Sequence, residues 1–521
     1  MAILAGAGFF SLASAPPLPA DPEQTQLVVT VVAQQTSTPP VFSTIQEDQS
    51  LPGQALPGQA SLPVPLVQPE LTPQATSLPT LDPTTNPPYL YYAQAGDSLK
   101  TLSMRFAVEP AEITSSDPIP TVGLINPGQL LIIPRRLTKT SSSTQIMPDS
   151  EVVFSPTAAD FDVEAYVKKA GGYLSQYSQF LGETGMTTGA QVIERVATEF
   201  SVNPRLLLSL LEYQSHWVTG QPATLAQTDY PMGMVNITYK GLYQQMAWMV
   251  SLLSQGYYGW RDGSVTSVIF PDKTTLRLAP DLNAGSVALQ NFFANLYNLP
   301  NWAGALSSTV GVPANYTSMF GSPWQRAQAI EPLYPAKLTQ PELVLPFEPG
   351  VGWSFTGGPH AAFGAAGALA ALDFSPGGKQ SGCYVSDAWV DASATGVIVR
   401  AEHNQVVLDL DGDGYEQTGW TLLYMHIAAD GMTPKGTRVS VGDHLGHPSC
   451  EGGTATGVNV HLARKYNGEW ILADSAIPFV LSGWQAHAGA NPYEGTLTNG
   501  SKVLNACPCG SPDTWISIPR P

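Results

Sequence analysis

The sequence predicts a multidomain chain. It should hold a disordered Pro-rich N-terminal spacer, a small βααβ unit, an α-helical middle domain and an antiparallel all-β C-terminal domain. Three observations carry this expectation. Residues 16–88 are crowded with Pro, Thr, Gln and Ser and include a tandem LPGQALPGQA at 51–60. Residues 161–335 hold apolar side chains at helical spacing. Residues 340–521 hold short alternating or apolar runs punctuated by turn residues. At 521 residues the chain is too long for one core, so two to four domains are expected.

Composition narrows the function classes. A formal charge of −18 argues against nucleic acid or anionic lipid as an electrostatic partner. Only 12% of residues are charged, against 48 Gly, 46 Pro and 20 Tyr, a balance that suits loop-rich β domains joined by linkers. Residues 1–15 form an apolar export segment ending in the small-residue site Ala13-Ser14-Ala15. No later run reaches the roughly 18 apolar residues of a membrane span, so the mature chain is expected to be secreted and extracellular. Segment 16–88 cannot bury enough apolar surface to offset its ordering entropy and reads as a disordered linker. The four cysteines, Cys383, Cys450, Cys507 and Cys509, sit in the last third and suit an oxidising compartment. Three pairings are open to them. Cys383 with Cys450 is preferred, because it ties the chain after Asp373 to the loop before His461.

Residues 89–137 read "YLYYAQAGDSLKTLSMRFAVEPAEITSSDPIPTVGLINPGQLLIIPRRL". Strands bracket two small helices, the first opening at Asp97 and Ser98. From "AGDSL" through "RFAV" to "INPGQLLIIP" this segment resembles a LysM domain. The resemblance implies binding to N-acetylglucosamine-containing glycan, above all peptidoglycan. Gly96, Asp97, Ser98 and Leu99 would form one edge of the groove, and Ile125, Asn126 and Pro127 the other. A Ser/Thr-rich linker follows at 138–160.

The middle domain, 161–335, opens with "AQVIERVATEFSV", which puts Val192, Ile193, Val196 and Phe200 on one face. The next helix starts with an Asn203 cap and Pro204 at its first position. The order of "LLSLLEYQSHW", "PMGMVNI" and "NAGSVALQNFF" is similar to lytic-transglycosylase-like lysozyme domains. That resemblance puts Gln214, not a glutamate, at the catalytic position, and an amide cannot protonate a glycosidic oxygen. Glu212 lies two residues earlier, about 200° around the helix, and reads as a structural carboxyl. The domain is therefore expected to bind or space rather than cut. A glycan-cleaving lyase using Glu212 is the weakest reading.

The C-terminal domain, 340–521, carries "GGPH…ALDF", "LLYMHI", "VGDHLGH" and "GTATGVNVHL". In these pieces it resembles the lysostaphin-type, β-lytic zinc metallopeptidases. The resemblance implies zinc held by His360, Asp373 and His461, two imidazoles and a carboxylate that leave a position open for water. His426 would be the catalytic histidine. Asn459 stands where a second catalytic histidine is expected, and its amide can donate to an oxyanion but cannot carry a proton. His403, His444 and His447 are read as hydrogen-bonded loop residues. Asp409, Asp411 and Asp413 form a calcium-loop-like run, but Trp420 stands at the twelfth position, so a solvated hairpin turn is preferred. The function expected is a secreted, wall-associated zinc endopeptidase that cuts peptidoglycan peptide cross-links. The alternative is a non-catalytic peptidoglycan-binding or regulatory scaffold, motivated by Asn459 and Gln214 together.

Overall fold

Strand β1 (Tyr89–Tyr92) pairs antiparallel with β2 (Leu130–Ile133), and helix α1 (Leu99–Phe106) packs beneath them. A capping box opens α1: the Ser98 hydroxyl accepts from the Thr101 N–H, and the Thr101 hydroxyl accepts from the Ser98 N–H. Leu102, Phe106, Ile125, Leu131 and Ile133 form this unit's own small core. The second expected helix is instead a single 3-10 turn, Pro110–Glu112. The chain leaves that turn at β-branched Ile113 and Thr114, where Thr114 bridges to Ile132 in extended conformation. The computed structural model describes residues 86–377 and 382–519. The export segment 1–15 and nearly all of the 16–88 linker lie outside the described residues.

The helical middle is built mainly from α2 (Gly189–Phe200), α3 (Pro204–Ser215), α4 (Leu242–Asp262) and α5 (Ala284–Leu296). The Asn203 side chain accepts from the Arg205 N–H and Pro204 opens α3, as the sequence predicts. The linker reading of 138–160 is corrected. Met147, Asp149, Ser150, Glu151, Val152 and Val153 are all buried. Asp149 accepts from the Gly285 N–H and the Asn283 amide, each at 2.7 Å. Glu151 pairs with Arg326 and receives the Tyr316 hydroxyl. The Asp149 and Glu151 carboxylates are interior because buried donors await them.

The C-terminal region is dominated by a nine-stranded antiparallel sheet. Its main strands are β3 (Trp353–Ala361), β4 (Leu369–Pro376), β5 (Gly396–Glu402), β6 (Gln405–Asp409), β7 (Trp420–Met425) and β8 (Val460–Tyr466). Across the sheet the order runs β5, β6, β7, β8, β4, β3. Short strands Arg438–Val439 and Trp515–Ile516 lie at the two ends, and β9 (Glu469–Trp470) hangs on β8. One face buries Leu372, Phe374, Ile398, Leu408, Leu422 and Leu462. The other face, with Ala371, Val407, Leu423, Met425 and Ala463, shares a core with the helical middle. Burial on both faces explains why β6 reads as a continuous apolar run rather than an alternating one.

Arg261, at the end of α4, joins the parts. Its guanidinium bonds Glu469 of β9 at 2.8 Å, Asp149 at 2.9 Å and the Ala95 carbonyl of the βαβ unit. Among the described residues no helix is long and apolar enough to cross a membrane.

Candidate metal centre

Antiparallel register brings the three separated residues together. His461 on β8 lies directly opposite Asp373 on β4, and β4 pairs with β3, which carries His360. A run of register shifts between Gly357 and His360 turns the end of β3 toward the cluster. Gly357 is required there, since a Cβ at that position would sit 2.8 Å from the Asp373 carboxylate. His360 Nε2 lies 2.9 Å from His461 Nδ1, and Asp373 Oδ1 lies 3.2 Å from each.

The outer nitrogens fix the tautomers. His360 Nδ1 donates to the Gly358 carbonyl at 2.8 Å and His461 Nε2 donates to the Ala362 carbonyl at 3.0 Å. With those protons committed, the two inner nitrogens face each other as lone pairs beside a carboxylate oxygen. Three electron-rich atoms converging in a buried site repel one another unless a proton or a cation lies between them. Asp373 Oδ1 has no hydrogen-bond partner of good geometry although it is buried. Tetrahedral zinc with bonds of about 2.0–2.2 Å holds its ligand atoms about 3.3–3.6 Å apart, close to the spacing seen. The donor set therefore fits zinc. When a proton rather than a cation lies between them, burial works to raise the Asp373 carboxyl, but the charge then on His360 and the bonds from both imidazoles hold it well below the usual carboxylate range. Burial works to lower His360, and Asp373 outweighs it.

His426 lies beside the cluster, its ring centroid 6.2 Å from that of His461. Its backbone is left-handed at φ 65°, a sparsely populated conformation for a non-glycine residue. Nδ1 donates to the Glu451 carbonyl at 2.9 Å, so Nε2 carries the lone pair. Burial, then His461, lowers the imidazole below its ordinary value. Asn459 precedes β8 on the same face as His461 and bridges to Ser449, whose N–H and hydroxyl both donate to the His426 carbonyl. Its amide nitrogen donates to the Gly457 carbonyl at 2.9 Å. That bond uses one of the two Nδ2 hydrogens. Cys383 and Cys450 form a disulfide, as do Cys507 and Cys509.

Sequence reasoning missed Tyr493. Its ring stacks on His360, centroids 4.1 Å apart, from a residue with φ 69°. It follows His461 by a long loop-rich stretch, and no local pattern announces it.

The other candidates separate from this centre. Asp409 is buried and accepts from the N–H groups of Asp411, Gly412 and Gly414. Asp409, Asp411 and Asp413 bring carboxylate oxygens within 4.8 Å of one another, and Asp411 is raised to about 6, first by burial. His444 bonds Asp391 and stacks on Trp389, His447 donates to the Ala388 carbonyl, and His403 lies 3.9 Å from Glu199. Glu212 accepts from the N–H groups of Val218 and Thr219 and from the Thr219 hydroxyl, while Gln214 accepts from the Tyr297 hydroxyl.

In the βαβ unit, Gly96, Ser98 and Leu99 line a cleft of about 310 Å³ whose far wall includes Tyr258, Trp470 and Ile471. Asp97 does not face it. It is fully buried, bonded to Arg105 and the Tyr91 hydroxyl, and so is an interior anchor rather than a groove edge. Ile125 is buried and donates to the Asp97 carbonyl, Asn126 is exposed, and Pro127 lines a different cavity.

Residues 145–335 match the family described as "LasA, N-terminal domain". This segment takes in all of 161–335, the stretch whose sequence resembles transglycosylases. Protease LasA of Pseudomonas aeruginosa strain UCBPP-PA14 is 24% identical over 355 residues, covering 63% of this chain and 75% of the relative. Strain PAO1 carries a second Protease LasA with the same identity and coverage. Among solved structures, the M23 metalloprotease pseudoalterin is 23% identical with a TM-score of 0.27, covering 33% of this chain and 96% of that one. Lysostaphin of Staphylococcus simulans is 19% identical with a TM-score of 0.18, covering 34% and 81%. At such scores these two likenesses carry no weight of their own.

Proposed function

We propose that the chain is a secreted zinc endopeptidase that cuts peptidoglycan peptide cross-links. The C-terminal sheet carries the chemistry, and the N-terminal βαβ unit holds wall glycan. The convergence of His360 Nε2, His461 Nδ1 and Asp373 Oδ1 supports this most directly, because the carboxylate oxygen is buried and otherwise unpartnered. The likeness to Protease LasA adds to it.

His360, Asp373 and His461 would hold the zinc. When bound, zinc supplies Lewis acidity toward a carbonyl and lowers the pKa of water. The chain's own groups do the rest. The Gly358 and Ala362 carbonyls keep both imidazoles turned inward. His426 Nε2, held by the Nδ1 bond to Glu451, takes and returns a proton near the centre. Tyr493 covers the open ring face of His360. His360, His426 and His461 are buried, while the Asp373 side chain keeps 16% exposure, which leaves a narrow entry. Gly96, Ser98 and Leu99 would contact glycan in the cleft beside α1. Tethering of that kind raises the effective concentration of an enzyme at an insoluble substrate.

The test is to incubate the zinc-loaded chain with purified peptidoglycan and count new free amines. Amines should rise with wild type, stop with chelator, return with zinc, and fail to appear with His461→Ala. No release under any metal condition would remove the reading.

A further inference from the structure

His426 is the first residue past β7, so the pairing of that strand no longer holds it. Its backbone is left-handed, and the segment 449–453 wraps it instead. The Ser449 N–H and hydroxyl donate to the His426 carbonyl at 2.7 and 3.0 Å. The imidazole Nδ1 donates to the Glu451 carbonyl at 2.9 Å. A Cβ at position 453 would sit 3.3 Å from His426 Cε1, so a glycine there lets the loop close on the ring.

The Glu451 carbonyl sits on a soft stretch of backbone. The Ser449 hydroxyl holds the Glu451 N–H at 3.1 Å, but the carbonyl lies on the other side, in the peptide shared with Gly452. Gly452, at φ 76°, and Gly453 follow in succession, and glycines leave a peptide many conformations of similar energy. The Glu451 side chain supplies an anchor. Its Oε2 accepts from the Ala429 N–H at 3.1 Å and from the Asn404 amide at 2.6 Å. Asn404, between β5 and β6, also grips Ile427, the residue after His426. Its carbonyl accepts the Ile427 N–H at 3.1 Å, and its amide donates to the Ile427 carbonyl at 2.9 Å. The carboxylate thus fastens the loop to the same backbone that carries His426.

We infer that Glu451 is a positioning residue: its carboxylate holds its own carbonyl against His426 Nδ1, and so keeps the imidazole in the tautomer whose lone pair is on Nε2. Which ring nitrogen carries the proton is set by the bond the other nitrogen makes, so loss of the anchor lets the proton move to the nitrogen that should accept one. The effect on turnover rests on the peptidase reading. Glu451 bonds none of His360, Asp373 and His461, so its effect falls on kcat and not on zinc affinity. Both donors meet at the one oxygen Oε2, so a carboxamide oxygen can replace it without the charge.

The experiment compares the full chain with its Glu451→Ala and Glu451→Gln variants. The first readout needs no turnover: nitrogen NMR of the metal-free chain with labelled histidines, the His426 signals being assigned by their loss in His426→Gln. Wild type and Glu451→Gln should hold neutral His426 with its proton on Nδ1. Glu451→Ala should shift those signals toward the form with the proton on Nε2. The second readout is cleavage of a soluble stem-peptide fragment of peptidoglycan by the zinc-loaded chain. Glu451→Ala should lower kcat by about 10- to 100-fold, the cost of a misplaced catalytic group, with KM within about threefold. Glu451→Gln should stay within about threefold of wild type in both constants, and zinc affinity should not change in either variant. Should Glu451→Ala fail to fold, Asn404→Asp sets a carboxylate against Oε2 and should bring the same tautomer change and loss of kcat. A His426 proton that stays on Nδ1 in Glu451→Ala or in Asn404→Asp would overturn the inference, and so would a Glu451→Gln variant as slow as Glu451→Ala. Absence of chelator-sensitive cleavage by wild type removes the peptidase reading instead, and the tautomer comparison still judges Glu451.

Discussion

Two carboxylates, Glu212 near the end of α3 and Asp373 within β4, have opposite surroundings. Glu212 near the end of α3 receives two backbone N–H groups and a hydroxyl, all from residues six or seven positions on. It closes the helix end and fixes the following loop. Asp373 on β4 keeps one oxygen without a well-formed bond, facing two imidazole nitrogens whose protons are committed elsewhere. Both are acidic groups that the sequence offers as candidates for a site. What separates them is satisfaction: a carboxylate whose acceptors are filled is part of the frame, and one left open among lone pairs is a site for a cation.

The largest effect should come from the open carboxylate. Asp373→Asn should lower zinc affinity by more than about a hundredfold in a competition titration, since outer-shell changes alone cost 10–100-fold. Near-normal affinity would place zinc elsewhere. Next, saturating zinc should raise the melting temperature of wild type. Ligand at about a thousand times its Kd adds about 4 kcal/mol, and Asp373→Asn should cancel the shift. Glu212→Gln should leave zinc binding unchanged and cost about 1–3 kcal/mol of stability, read by denaturant unfolding, because an amide cannot accept at both positions. Loss of zinc in that variant would erase the contrast.

A third carboxylate, Glu416, gives the most pH-dependent effect. Burial works to raise Glu416, but Arg400 and Lys465 hold it at about 2. A folded-state value below the unfolded one means stability present above about pH 5 and lost as pH falls through about 2. The stability difference between wild type and Glu416→Gln should therefore shrink across that window, from on the order of 2–3 kcal/mol at neutral pH. A difference that stays constant with pH would show that the ion pairs contribute nothing.

Much of this arrangement is legible in the sequence where local chemistry is strong. Asn203 and Pro204 announce α3, the Ser98 cap announces α1, and the apolar runs from 396 to 425 announce the central strands. His360, Asp373 and His461 were identifiable through resemblance, but only antiparallel register explains how residues 101 positions apart meet. The failures share one cause. Asp97, Asp149 and Glu151 are polar in sequence, and nothing local reveals that Arg105, Asn283, Arg261 and Arg326 wait for them in the interior. Tyr493 fails the same way, since a stacked ring is a property of its neighbours.

The central claim is that one zinc is held by two imidazoles and one carboxylate. X-ray absorption at the zinc edge of the full chain loaded with one equivalent tests it most directly. The account predicts two nitrogen ligands and one or two oxygens at about 2.0–2.2 Å, with the imidazole signature reduced in His461→Ala. An oxygen-only shell, as the Asp409, Asp411 and Asp413 cluster would give, would contradict it.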